Sequence, residues 1–186
     1  MRHRCEWRDA QGGVSRAAMI LHGPIANVAL SRPGTTPEEI QQAASIQVKM
    51  LIDPGAYKTV IDRGIAEALG LEPIRFEEMS GISHVPEECP VFLLSVAIGL
   101  TDGSRTSTLI FTSEMIGMTT PPTPRPFNGL LGRDFLRHVR LDYDGQAGHC
   151  DIIGNLPADV SRHHGGHQGH KVKRRSQRDA RRKNRK

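Results

Sequence analysis

The sequence predicts a mainly β domain with one or two short helices, and three observations predict it. Apolar and polar residues alternate from Ile46 to Ile52, the period of a strand with one buried face. β-forming residues crowd Val91 to Leu100 and Thr106 to Thr112, with Thr101-Asp102-Gly103-Ser104 as the turn between them. Turn signals recur at close intervals along the chain, while helical patterns stay short. The 186 residues are enough for one domain with a sizeable core and some length to spare. Hydrophobic residues make up 37% and aromatics 4%, so that core must be built mainly from Ile, Leu, Val and Ala.

In order, residues 1–17 are polar, Gly-containing and aperiodic, and are expected as a flexible lead-in. Ile25, Val28, Ala29 and Leu30 suggest an early strand, closed by a turn at Ser31-Arg32-Pro33-Gly34. Thr36-Pro37-Glu38-Glu39 carries the marks of a helix start and predicts a short helix over 37–44. The alternating strand follows and runs into Asp53-Pro54-Gly55-Ala56, after which Val60 and Ile61 form a second apolar run. Asp62 can cap a helix over 63–69, with Ile65, Ala66 and Leu69 on one face and Gly70 ending it. Extended chain is expected from Ile74 to Met79, a turn at Ser80-Gly81-Ile82-Ser83, and a return through His84 to Pro90. Thr and Pro make the stretch from Thr119 to Asn128 an irregular loop. Then come Leu130-Leu131-Gly132, a short helical pattern at Phe135, Leu136 and Val139, a strand at Leu141 to Tyr143, a turn at Asp144-Gly145, and a last strand at His149 to Ile153. The domain is expected over 18–156 and a disordered tail over 157–186.

Charge divides the chain. The net charge is +5, but residues 171–186 hold ten of the 25 basic side chains and a single acid, Asp179. The remainder carries fifteen basic and nineteen acidic side chains, a net of −4, so the body is mildly acidic and the basicity belongs to the tail. Cys5, Cys89 and Cys150 are odd in number, widely spaced and lack a CxxC pair, which argues against a disulfide framework or zinc knuckle and suits a reducing compartment. The charged N-terminus has no apolar signal core, and no stretch reaches the roughly 18–20 apolar residues of a membrane span. A soluble, cytoplasmic protein is the expectation.

A carboxylate at the end of a strand, followed at once by glycine, builds core poorly and holds an acid well in a fixed, partly shielded place. Asp-Pro-Gly by itself favours the turn of an ordinary hairpin. The second stretch, Leu130-Leu131-Gly132-Arg133-Asp134, lies about 75 residues on, with β-type sequence between. Together the two resemble the retroviral-type (retropepsin-like) aspartic protease family over about residues 25–153. Asp53-Pro54-Gly55-Ala56 takes the place of its Asp-Thr/Ser-Gly-Ala signature, and Met79 to His84 the place of its flap. Leu130-Leu131-Gly132-Arg133 matches its two-hydrophobics-Gly-Arg motif.

The resemblance implies a closed acid-protease barrel, one lobe per subunit, and an aspartic endopeptidase active as a homodimer on peptide or protein substrates. Asp53 is then the catalytic residue, one from each subunit. Two carboxylates about 3 Å apart share a proton; one acts as general base on water while the other polarises the scissile carbonyl. No cofactor, metal or covalent intermediate is implied. Gly55 and Ala56, with Gly81, Ile82 and Ser83 of the flap, become substrate-binding residues, and Pro54, Leu130, Leu131, Gly132 and Arg133 support the site. Pro54 departs from the pattern: where the family has a Thr or Ser hydroxyl and a backbone N–H linking the two active-site loops, proline has neither. Each missing hydrogen bond is worth roughly 0.5–1.5 kcal/mol, and rigid proline geometry offsets part of the loss by limiting loop freedom. Tyr57 stands where some members carry an acid that pairs with the arginine, so Arg133 lacks a named partner.

Two other readings stand beside this one. A retropepsin-like domain weakened or inactivated at Pro54 would be a peptide- or protein-binding module. A nucleic-acid-associated protein would act through 171–186, which could hold a polyanion by counterion release without sequence readout. The same tail reads equally as a solubilising segment. His163, His164, His167 and His170 could ligate a metal, but their glycine-rich setting gives no rigid scaffold, and a solvated linker is the expectation. Cys89 and Cys150 fall in expected strands and should be buried; as a nucleophile Cys89 would have only His84 nearby in sequence. Asp134 reads as a helix N-terminal charge and Asp142 as a strand-end surface acid.

Overall fold

In a computed structural model, which describes residues 1–8, 11–34, 36, 38–39, 45–80, 86–119 and 125–154, ten strands and three short helices are laid out among the described residues. The strands are β1 (Arg2–Glu6), β2 (Ile25–Ser31), β3 (Ile46–Ile52), β4 (Val60–Asp62), β5 (Arg75–Ser80), β6 (Pro86–Thr101), β7 (Thr106–Met118), β8 (Gly129–Leu131), β9 (Arg140–Asp144) and β10 (His149–Ile153). The helices are α1 (Arg16–His22), α2 (Arg63–Ala68) and α3 (Arg133–Leu136). None of the described helices is long and apolar enough to cross a membrane.

Six strands close on themselves. β2 pairs with β3, β3 with β8, β8 with β4, β4 with β7, β7 with β6, and β6 returns to β2. Closure leaves this ring without a free edge, and its interior is the main core. Val48, Met50 and Ile52 point inward from β3 while Gln47 and Lys49 face out, the alternation read from the sequence. Leu30, Leu94, Val96, Ile98, Leu131 and Ile152 complete that core with two large aromatics, Phe92 and Phe135. Each such side chain gains roughly 1.5–3 kcal/mol by leaving water, so aliphatic residues suffice without many rings.

The elements begin and end where local chemistry dictates. Asp62 accepts a hydrogen bond from Gly64 N–H at 2.8 Å and caps α2, which turns Ala66 inward; Gly70, at φ +65°, ends the helical segment. Thr36 and Glu39 bond reciprocally, backbone N–H to side-chain oxygen, as a capping box requires. The rest of the helix expected over 37–44 lies largely outside the described residues. So do the loop at 120–124 and the chain from 155 onward, with its histidine-rich and basic segments.

The N-terminal expectation needs correction. Residues 2–6 are not a loose lead-in but β1, paired along its length with β10 and extending the sheet in the order β6-β1-β10-β9. Only Cys5 in this strand is fully buried, facing Cys150 across the pair. Polar contacts add to the backbone ladder: Arg4 donates to both oxygens of Asp151 at 2.9 and 3.0 Å, and Arg2 to one at 3.3 Å. Residues 16–22, for which the sequence named no element, form α1, capped by Ser15, whose Oγ accepts from Ala18 N–H at 3.3 Å.

Candidate active site

β3 delivers Asp53 to one end of the barrel. Ile52 N–H donates to Pro24 O at 2.9 Å and Asp53 N–H to Leu131 O at 3.0 Å, so the chain is gripped from both sides as it leaves the strand. It then turns: Gly55 N–H donates to Asp53 Oδ1 at 2.8 Å and Ala56 N–H to Asp53 O at 3.1 Å. A Cβ at Gly55 would lie 3.0 Å from that same Oδ1, so glycine keeps the carboxylate and the backbone close. Asp53 and Ala56 are half-buried, Pro54 and Gly55 exposed. Oδ2 receives no hydrogen bond among the described residues and stays open to a proton, a water or a second carboxylate.

The second stretch packs beneath this turn. β8 runs parallel to β3, with Leu51 beside Leu130 and Ile52 beside Leu131, so Gly132 and Arg133 emerge next to Asp53. Arg133 N–H donates to Ala56 O at 2.9 Å, and its guanidinium donates through Nη1 to Pro54 O at 2.9 Å and Gly55 O at 3.1 Å. These carbonyls are the partners the sequence could not name: with Tyr57 in place of an acid, Arg133 clamps the turn by its backbone. A side chain at Gly132 would meet Lys58 C at 2.4 Å, and one at Gly129 would meet Val60 O at 2.2 Å. Only glycine lets these strands approach.

Thr59 joins the two halves, and sequence reading missed it. It is 1% exposed; its N–H and hydroxyl donate to the two oxygens of Asp134 at 3.0 and 2.8 Å, and its Oγ1 accepts from Gly132 N–H at 3.2 Å. Asp134 does lie in the first turn of α3, as expected, and accepts from Phe135 N–H at 2.9 Å. Its larger part is this cross-link over 75 residues. Nothing in the order of residues marks Thr59 as buried or points to its partner.

β5 and the first part of β6 form an antiparallel hairpin whose tip, with Gly81, Ile82 and Ser83, lies outside the described residues. Its base is tied to the Asp53 loop. Lys58 Nζ donates to both oxygens of Glu77 at 2.7 and 2.8 Å, and Tyr57 OH to Met79 Sδ at 3.1 Å. Arg75 adds contacts to Glu77 and to Glu114 of β7. Lys58 first and Arg75 second hold the Glu77 carboxyl below the usual carboxylate range.

The cysteines are placed against nucleophilic chemistry. Cys5, Cys89 and Cys150 are all free and buried. Burial pushes all three thiols up, Cys150 to about 11, helped by the nearby Asp151 charge, and a thiol so protonated attacks poorly. Asp142 is exposed on β9, opposite Asp151, and is separate from the Asp53 turn.

No family model matches the chain, and no curated protein matches it. Among solved structures the chain is similar to a retropepsin-like aspartic protease from Rickettsia conorii, with 14% identity and a TM-score of 0.43 over 82% of this chain and 89% of that one. At so remote a distance the chain's own geometry has to carry its chemistry.

Proposed function

We propose that the protein is an aspartic endopeptidase that works as a homodimer, with Asp53 of each subunit forming one site. The observation that carries this is the Asp53 carboxylate itself. It stands at the mouth of a closed barrel, fixed through its own N–H and Oδ1, with Oδ2 unpartnered among the described residues. One such carboxylate cannot both activate water and polarise a carbonyl. Two, meeting across a two-fold axis, can divide these tasks because repulsion forces them to share a proton. The general base then takes a proton from water as it attacks the peptide carbonyl, and the protonated partner donates to the developing oxyanion. Arg133 holds the Pro54 and Gly55 carbonyls and so steadies the turn within the subunit, without restoring the link between subunits lost at Pro54. The β5–β6 hairpin, tied to the loop through Tyr57 and Lys58, serves as the cover over a bound peptide.

The test is cleavage of a peptide library at mildly acidic pH. Wild type should cleave and Asp53→Asn should lose at least about a thousand-fold in kcat/KM, because an amide cannot serve as the base. Cleavage that survives in Asp53→Asn would remove Asp53 from the mechanism. Pro54 favours a second reading, a peptide-binding module without turnover. An inactive wild type that gains activity on Pro54→Thr would establish it.

A further inference from the structure

Cys5 of β1 and Cys150 of β10 are directly opposed in their antiparallel ladder. Residues opposed in this way share one face of the sheet. Both side chains are 1% exposed and both belong to the main core, so the two thiols turn inward together. Directly opposed residues hold their Cα atoms about 4.5–5.5 Å apart, inside the roughly 4.4–6.8 Å that a disulfide spans. Their Cβ atoms, about 4.5–5.5 Å apart, have to close by only about 1 Å to reach bridging distance. The thiols also feel each other: burial foremost pushes Cys5 up, and the neighbouring Cys150 adds to the push. Cys89 is placed differently. It faces Glu77 across the β5–β6 pair and lies in a separate small cluster with Val91 and Ile116.

The place of the pair gives it a consequence. β1 touches the ring directly where Arg2 stands opposite Thr101 of β6, and Cys5 is its one fully buried side chain. Almost the whole described chain lies between the two thiols, and a cross-link that closes a long loop restricts the unfolded chain strongly. We propose that Cys5 and Cys150 are an oxidisable pair, a modification site at which a low-molecular-weight disulfide converts two thiols into a bridge stapling β1 to β10. The reaction is thiol–disulfide exchange. When β1 opens locally, the thiols reach water and one ionises. Its thiolate attacks the small disulfide, forming a mixed disulfide and releasing one small thiolate. The second cysteine, as thiolate, attacks the protein sulfur of that mixed disulfide, forming the Cys5–Cys150 bond and releasing the other small thiolate. The two cysteine protons end on the released thiolates. The protein gives up two electrons, and the small disulfide takes them.

The test treats the full chain with oxidised glutathione, once as the folded protein and once during refolding from denaturant, so that access to the thiols does not decide the result. Remaining thiols are alkylated, and the peptides are mapped by mass spectrometry without reduction. Wild type should keep one alkylated cysteine, Cys89, and show the Cys5 and Cys150 peptides joined. The bridged protein should melt at least about 4 °C above its dithiothreitol-treated form. Cys5→Ala should keep both remaining thiols free and melt alike with and without the reductant; should that variant fold poorly, Cys89→Ser, which retains the pair, should bridge and melt as wild type does. Three free thiols after refolding, a bridge to Cys89, or a bridge between two chains would each overturn the proposal. A Cys5–Cys150 bridge that leaves the melting midpoint unchanged or lowers it would also overturn it, since the joined strands would then not be the native ones.

Discussion

A methyl group at Gly132 would sit 2.4 Å from the carbonyl carbon of Lys58, and backbone cannot swing aside as a side-chain tip can. Gly132→Ala should therefore force apart the Arg133 turn and the Thr59 loop, costing roughly 1–3 kcal/mol or more by overpacking, read as a lowered denaturation midpoint. Gly99→Ala is the matched control, since a Cβ there meets nothing within 4 Å; removing glycine's freedom should leave stability unchanged or raised by up to about 1 kcal/mol. If both changes cost the same, close approach is not what Gly132 provides. At this scale the sequence was legible where a residue acts through its own backbone. The Gly-Ala after Asp53 and the Leu-Leu-Gly-Arg stretch were visible as motifs. Thr59 and the carbonyl partners of Arg133 were not, because those bonds join positions 75 to 79 apart and depend on the path of the chain between them.

Among the elements, the β5–β6 hairpin is tied to its neighbours by ion pairs. Lys58–Glu77 and Arg75–Glu114 join it to the Asp53 loop and to β7, while Phe76 remains 55% exposed. Glu77 is held below the usual carboxylate range, so the sign is set. Its stabilisation is present above the unfolded carboxylate value near 4.3 and is lost as pH falls through the lower folded value. The hairpin therefore stays tied at mildly acidic pH, the condition of the proposed cleavage test. Glu77→Gln should speed amide hydrogen exchange over 75–80 with little change in β3 or β8. Because the pair is partly exposed, global stability should fall by only about 0.2–1 kcal/mol. Uniform exchange across the barrel would mean that the hairpin is not a separable unit. The strand pairing here was predictable from alternation and turn residues; the ionic ties were not.

For the molecule as a whole, Asp151 is the buried charge that matters. It is 4% exposed and takes hydrogen bonds from Arg4 and Arg2, which hold its carboxyl below the ordinary range, Arg4 foremost. The linkage runs as for Glu77: stability is gained above the unfolded value near 3.9 and lost on acidification through the lower folded one. Asp151→Asn should lower stability at neutral pH by about 1–3 kcal/mol, since a charge-assisted bond is replaced by a neutral one. The wild-type and variant curves should converge as pH falls through the lowered folded value, where the native carboxylate is protonated as well. A deficit independent of pH would assign the loss to packing instead.

The order of residues was enough to determine the strand and turn pattern, the aliphatic core and the two stretches that meet at Asp53. Each of these depends on side-chain period or on local turn chemistry, which neighbouring residues set among themselves. Tertiary structure decided that β2 and β6 close the ring, that Arg2–Glu6 is a strand, and that α1 buries Met19 while Ile20 and Leu21 stay exposed. β1 carries a single buried apolar side chain and is placed by its pairing with β10 and by Asp151, some 147 residues from Arg4. A contact of that span leaves no local trace, because it exists only once the chain between has folded.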